Sequence, residues 1–235
     1  MCFSTTVSFT TGAALIAVSI YTIYKARTRN KKYTLFACMP LFFGIQQIIE
    51  GFVWLGKLGN NPFLLKISSL GFIFFAFAFW PVFSPLSMYF IEEKKEFKRK
   101  KLLLILFALS LLIGAAIYLP IILNMVPLNT KVVCNSISYD VPITMAFTNV
   151  YTLIYLLITI SPFLIVPNIK LRIFAILLLF SSLISNYFYT NRFISVWCFF
   201  AAILSFFIIY IMYKLPKNRF NHPPHLHAKN QQHLS

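Results

Sequence analysis

The chain has 235 residues, 59% of them hydrophobic and only 11% charged, with a mean hydropathy of +0.78. Soluble domains carry about 25% charged residues, so this composition, with its near-continuous apolar runs, excludes a soluble globular protein and points to a polytopic helical membrane protein. The net charge of +16 lies almost wholly in short loops between those runs, which is the positive-inside pattern and not the basic face of a nucleic-acid binder.

The first span is expected at about Thr6–Tyr24. No Lys or Arg precedes it, and Lys25, Arg27, Arg29, Lys31 and Lys32 follow it. A secretory signal has the reverse order, so this segment reads as a retained span with its N-terminus outside. The second span, Leu35–Leu55, rises to a short outer loop, Gly56–Leu65, with Asn60, Asn61 and Pro62 as turn residues. The third, Ile67–Ile91, is interrupted by Pro81 and Pro85 and returns to a basic inner loop, Glu92–Lys101 (EEKKEFKRKK). The fourth, Leu102–Leu123, leads to the longest outer loop, Asn124–Pro142. The fifth, Ile143–Val166, and the sixth, Leu171–Tyr189, flank a tight inner turn, Pro167–Arg172. A very short outer turn, Thr190–Arg192, precedes the seventh span, Phe193–Tyr213. The tail, Lys214–Ser235, is polar and reads as flexible.

This order predicts an all-α fold. It is a seven-transmembrane-helix bundle over residues 1–213, N-terminus outside and C-terminus inside, followed by a cytoplasmic tail. It places 17 of the 21 cations inside and leaves only Lys57, Lys66, Lys131 and Arg192 outside. The inner basic stretches, KKEFKRKK above all, are expected to hold anionic lipid at the inner face.

Met39–Leu55 (MPLFFGIQQIIEGFVWL) is the unusual stretch. Glu50 is the only acidic residue within a predicted span. At about 100° per residue, Phe43, Gln46, Gln47 and Trp54 share its face, and Gly44 and Gly51 form a small-residue strip alongside. A carboxylate at that depth costs several kcal/mol unless paired or wet. Glu50 is therefore expected to be protonated or solvated in an outward-open pocket. The competing reading is structural: a protonated Glu that hydrogen-bonds neighbouring helices. Polar groups at the same predicted level are Ser68, Ser69, Tyr118, Thr144, Thr148, Asn149, Ser185, Asn186, Tyr187, Ser195, Trp197 and Cys198. They either line a pocket or form interfacial belts and caps.

Cys2 would become an outer N-terminal thiol and amine after loss of Met1, a nucleophile–base pair on paper. No span contains a His to activate it, since all four histidines lie in the last 14 residues. Cys134 is open to a disulfide with Cys2 or Cys198, or each is a plain packing residue. The HPPHLH tail is a weak metal-binding pattern and reads as solvated chain. No cofactor is indicated. There is no mid-span lysine for a retinal Schiff base, no G-x-S-x-G and no P-loop.

Three motifs occur in order: Met1-Cys2-Phe3-Ser4 with Ser8-Phe9 behind it, Leu41–Trp54 (LFFGIQQIIEGFVW), and Val196–Ala202 (VWCFFAA). Together they resemble a bacterial family of small multi-pass membrane proteins, a domain-of-unknown-function family. The resemblance covers most of the chain but not the basic inner loop or the His-rich tail. It implies no activity. It does mark Cys2, Ser4, Gln46, Gln47, Glu50, Trp54, Trp197 and Cys198.

The leading functional expectation is a binding or transport protein for a small polar or cationic ligand or protons. Glu50, Gln46, Gln47, Trp54, Asn149, Asn186, Trp197 and Cys198 would form its site. The alternatives are a membrane-embedded enzyme using Cys2 and Glu50, and a membrane sensor or structural protein.

Overall fold

A computed structural model describes residues 4–133, 136–141, 148–189 and 192–216. Helix α1, Thr5–Arg29, starts where the Ser4 hydroxyl accepts from the Val7 N–H at 3.3 Å. It ends on Arg27 and Arg29, where cations complement the negative end of the helix dipole. A turn through Asn30 and a single helical turn, Thr34–Ala37, lead into α2, Met39–Leu58, with Pro40 in its first turn.

The expected glycine strip receives α1. A Cβ on Gly12 would lie 2.9 Å from the Gly44 carbonyl oxygen, and one on Gly44 would lie 2.8 Å from the Gly12 carbonyl oxygen. Gly51 takes the ring of Phe9, 2.8 Å from where its Cβ would stand. The two backbones approach this closely because neither carries a side chain at the crossing.

The third apolar segment begins at Pro62, not Ile67, so the expected loop shrinks to Gly59–Asn61, with Asn60 at φ 48°. It runs as α3, Pro62–Ile73, then a wide π-type stretch, Phe74–Phe79, then α4, Trp80–Ile91. Pro81 has no N–H, and its ring crowds the carbonyl four residues back. The ladder shifts register just before it instead of breaking.

Helix α5, Phe97–Ile122, also starts early. The expected basic loop Glu92–Lys101 is half helix, and its charges are tied down. Arg99 Nε pairs with Glu92 at 3.1 Å, and its Nη2 pairs with Glu96 at 3.0 Å. Lys100 sits over the Tyr89 ring at 4.1 Å. Glu92 is only 4% exposed, although its run of charged neighbours reads as a solvated loop.

The long loop after α5 contains a β-hairpin. Strand β1, Asn129–Val133, pairs antiparallel with β2, Ser136–Asp140, placing Thr130 opposite Tyr139. Ile137, Tyr139 and Val141 turn inward and are buried with Val53 and Trp54 of α2 and Phe72 of α3.

Helix α6, Thr148–Ile165, and α7, Ile169–Phe188, follow, the latter capped by the Asn168 side chain on Lys170 N–H at 3.0 Å. The last apolar segment divides at Ser205 into α8, Phe193–Leu204, and α9, Phe207–Tyr213. Arg29 donates to the carbonyls of Tyr213 and Leu215 at 2.8 and 2.9 Å, and Lys170 donates to that of Lys214 at 3.1 Å. These cations satisfy the open carbonyls at the end of α9 and close the bundle between its first and last helices.

Among the described residues, six helical segments are long and apolar enough to cross a membrane: Thr5–Arg29, Lys31–Leu58, Pro62–Ile91, Phe97–Ile122, Ile169–Phe188 and Phe193–Tyr213. Helix α6 has a shorter apolar stretch, Thr152–Ile165. Large apolar side chains such as Ile20, Leu112 and Phe180 point outward, as lipid-facing positions do. The chain is a helical, multi-pass membrane protein.

Candidate functional site

Helix α2 presents one polar stripe to the interior. Gln46 and Gln47 are 0% exposed, Glu50 is 2% exposed, and Phe43 and Trp54 are buried beside them. The spacing i, i+3, i+4, i+7, i+11 puts these side chains on one face. It buries polar groups there because α3, α4, α8 and the hairpin pack against that face.

Glu50 accepts two hydrogen bonds. Ser195 of α8 donates its hydroxyl to Oε1 at 2.5 Å, and Gln47 donates Nε2 to Oε2 at 3.2 Å. Among the described residues no cation pairs with it. Lys57 is exposed farther along α2. Gln46 holds its amide oxygen on the indole N–H of Trp80 at 2.7 Å, and Trp80 stacks on Phe43 with ring centres 3.8 Å apart. The Cys198 thiol lies beside Gln46 and Glu50, and Cys198 is a free cysteine.

Among the described residues, four polar atoms of this neighbourhood are buried without a hydrogen-bonding partner: Gln46 Nε2, Gln47 Oε1, Trp54 Nε1 and the Tyr139 hydroxyl. Each such group costs roughly 1–3 kcal/mol. Tyr139 stacks flat on Phe72, with centroids 4.6 Å apart and planes 9° apart. Its phenol stays neutral well above the ordinary value near 10, first because it is buried and then because Glu50 and Cys198 lie close.

Glu50, expected either protonated or solvated in an outward-open pocket, is buried at 2% exposure. Ile137, Tyr139 and Val141 are buried in the cluster that also holds Val53, Trp54 and Cys198. On the other side of Cys198 lies a small cavity of about 20 Å³, lined by Phe43, Trp80, Thr159 and Trp197 among others. That is room for about one water.

The remaining expected residues divide. Trp197 lines the cavity and donates to Ser181 Oγ at 3.2 Å, rather than reaching Glu50. Asn186 and Tyr187 are exposed at the end of α7. Ser68 and Ser185 bond back to their own helices, and Tyr118 donates to the Leu70 carbonyl. Ser69 accepts from Thr130 of β1. Cys2, Cys134, Thr144 and the four histidines lie outside the described residues, as do the side chains of Thr148 and Asn149. Among the described residues no three His, Cys, Asp or Glu side chains gather where an ion could sit.

Sequence reasoning missed Trp80 and Tyr139. Both left a signal. A tryptophan in an apolar segment needs an acceptor for its N–H, and Gln46 is among the few side chains able to supply one. Ser136–Val141 alternates polar and apolar residues strictly, the period of a half-buried strand.

The chain belongs to DUF6629, a family of unknown function whose model matches residues 1–222. No curated protein and no solved structure matches it.

Proposed function

We propose that the protein is a seven-span bundle of a bacterial cytoplasmic membrane, N-terminus outside and C-terminus inside. It binds a small polar ligand or a proton at Glu50 in a closed state. The observation that carries this reading is the uncompensated polar cluster. Among the described residues, one buried carboxyl without a cation and four unpartnered polar atoms occupy a single neighbourhood. A fold that needed Glu50 only as a fastener would gain stability by satisfying or removing its neighbours. The unpartnered N–H groups of Gln46 and Trp54 outnumber the one purely accepting atom, Gln47 Oε1. That balance favours an oxygen-bearing ligand over a bare cation. Tyr139 and its strand stand between this site and the outer face.

The orientation rests on 17 of 21 cations falling on one side of the seven spans. Impermeant maleimide labelling of single cysteines placed at Lys57 and Lys95, in a cysteine-free background in cells, should mark the first and spare the second.

The site is tested on purified protein with Glu50→Gln, which keeps the shape and removes the titration. A panel of small amines, alcohols, amino acids and amides is screened by thermal shift. In parallel, infrared difference spectra follow the carboxyl stretch between pH 5 and 9. Wild-type protein should show a titrating carboxyl band or a stabilising compound that Glu50→Gln lacks while remaining folded. Glu50→Gln protein matching wild type in both assays refutes the site. Its failure to fold assigns Glu50 to structure.

A further inference from the structure

A second site lies apart from the Glu50 cluster. A groove of about 420 Å³ opens between the start of α3, the end of α5 and β1, within the range of roughly 300–1,000 Å³ typical of small-ligand sites. Its floor is polar and ordered: Ser69, 1% exposed, accepts from the Thr130 hydroxyl at 2.9 Å. Its walls are apolar, with Leu65 and Ile121 among them. At its mouth Lys66 donates to the Asn124 side-chain oxygen at 2.9 Å. Asn124 is held in the left-handed region at φ 57° by the turn that ends α5.

Lys66 differs from Lys131 and Arg192 at this end of the bundle. Lys131 is paired with Asp140 at 3.1 Å, and Arg192 is spent on the hairpin, donating to the Val133 carbonyl and to Ser136 Oγ. Lys66 has a neutral amide as its partner and no carboxylate within ion-pair distance among the described residues. An ammonium has three N–H groups to give. Lys66 also lies four residues inside α3, about 6 Å along the axis from Pro62. With the helices crossing a bilayer, that is headgroup depth, where a lysine stem lies on apolar surface and its charge faces the interface.

We propose that this groove binds an anionic amphiphile. A phosphate or carboxylate head sits on Lys66 with Asn124 beside it, and an alkyl chain lies along Leu65 and Ile121. The chemistry is a single anionic head continuous with an apolar tail, which separates the groove from the strongly basic end of the bundle, where charge alone attracts anions.

The test is native mass spectrometry of the full chain in neutral detergent, titrated with dodecyl phosphate or with inorganic phosphate. Wild-type protein and the variants Lys66→Gln and Lys100→Gln are compared. Dodecyl phosphate should form one more saturable adduct on wild type and on Lys100→Gln than on Lys66→Gln, with affinity at that site falling about tenfold or more in Lys66→Gln. Inorganic phosphate should not fill it at the same concentration. Equal dodecyl phosphate binding by wild type and Lys66→Gln overturns the proposal. Inorganic phosphate binding as tightly as dodecyl phosphate also overturns it, by showing a site for the free anion.

Discussion

Tyr139 is buried in this cluster, and two substitutions separate its ring from its hydroxyl. Tyr139→Phe keeps the ring stacked on Phe72 and removes a buried oxygen without a partner. An unsatisfied buried hydroxyl costs roughly 1–3 kcal/mol, so the Phe variant should be more stable by about 1 kcal/mol, the low end of that range. Tyr139→Ala removes the ring as well. Truncating a buried aromatic costs about 3–5 kcal/mol, including the cavity left behind, and here a stacked pair is also lost. The expected destabilisation is about 4 kcal/mol. Denaturant-detergent unfolding of purified protein, followed by tryptophan fluorescence, measures both.

The pH dependence gives a second reading of the same residue. The folded pKa of Tyr139 lies above its unfolded value near 10. Its neutral form is favoured by folding, so this contribution is intact below pH 10 and is lost as pH rises beyond it. The Phe variant lacks this loss, and its advantage over wild type should grow above pH 10. The reasoning fails if Tyr139→Phe is destabilised by more than about 1 kcal/mol at neutral pH, the value of an ordinary hydrogen bond. The hydroxyl would then be making a bond in the folded protein.

Other expectations concern the frame of the site. Gly44→Ala drives a methyl into the Gly12 carbonyl at 2.8 Å and should cost about 1–3 kcal/mol. Gly71→Ala meets only the Ile49 methyl carbon at 3.3 Å and should stay within about 0.5 kcal/mol of wild type. Equal unfolding midpoints for the two would contradict the close α1–α2 crossing. Ser195→Ala removes a donor to Glu50. It should cost about 1 kcal/mol if the carboxyl is neutral and about 1.5–3 kcal/mol if it is charged, and the accompanying shift of the Glu50 infrared band tells which. Arg99→Ala strands the buried Glu92 carboxylate and should cost about 1–3 kcal/mol. Lys95→Ala breaks only an exposed pair with Glu93 and should leave the unfolding midpoint where it is. The unfolding assay used for Tyr139 measures all of these.

The sequence by itself determined the membrane class, the helical segments and the shared face of Gln46, Gln47, Glu50 and Trp54. Hydropathy and the 3.6-residue period are local properties, and a helix in lipid satisfies its own backbone. The Gly44–Gly51 strip was legible for the same reason, although its occupant, α1, was not. The tertiary structure decided what surrounds Glu50. Ser195 lies 145 positions along the chain, and no local periodicity reports which helix will supply a hydroxyl. Trp80 meets Gln46 because the register shift before Pro81 sets which way its helix faces. The hairpin was readable in Ser136–Val141 by alternation, but its descent into the bundle was not, because the burial of Tyr139 depends on the flat face of Phe72 beneath it. The polar stripe of α2 was thus a property of one helix. Its burial belongs to the packing of α3, α8 and β2 around it.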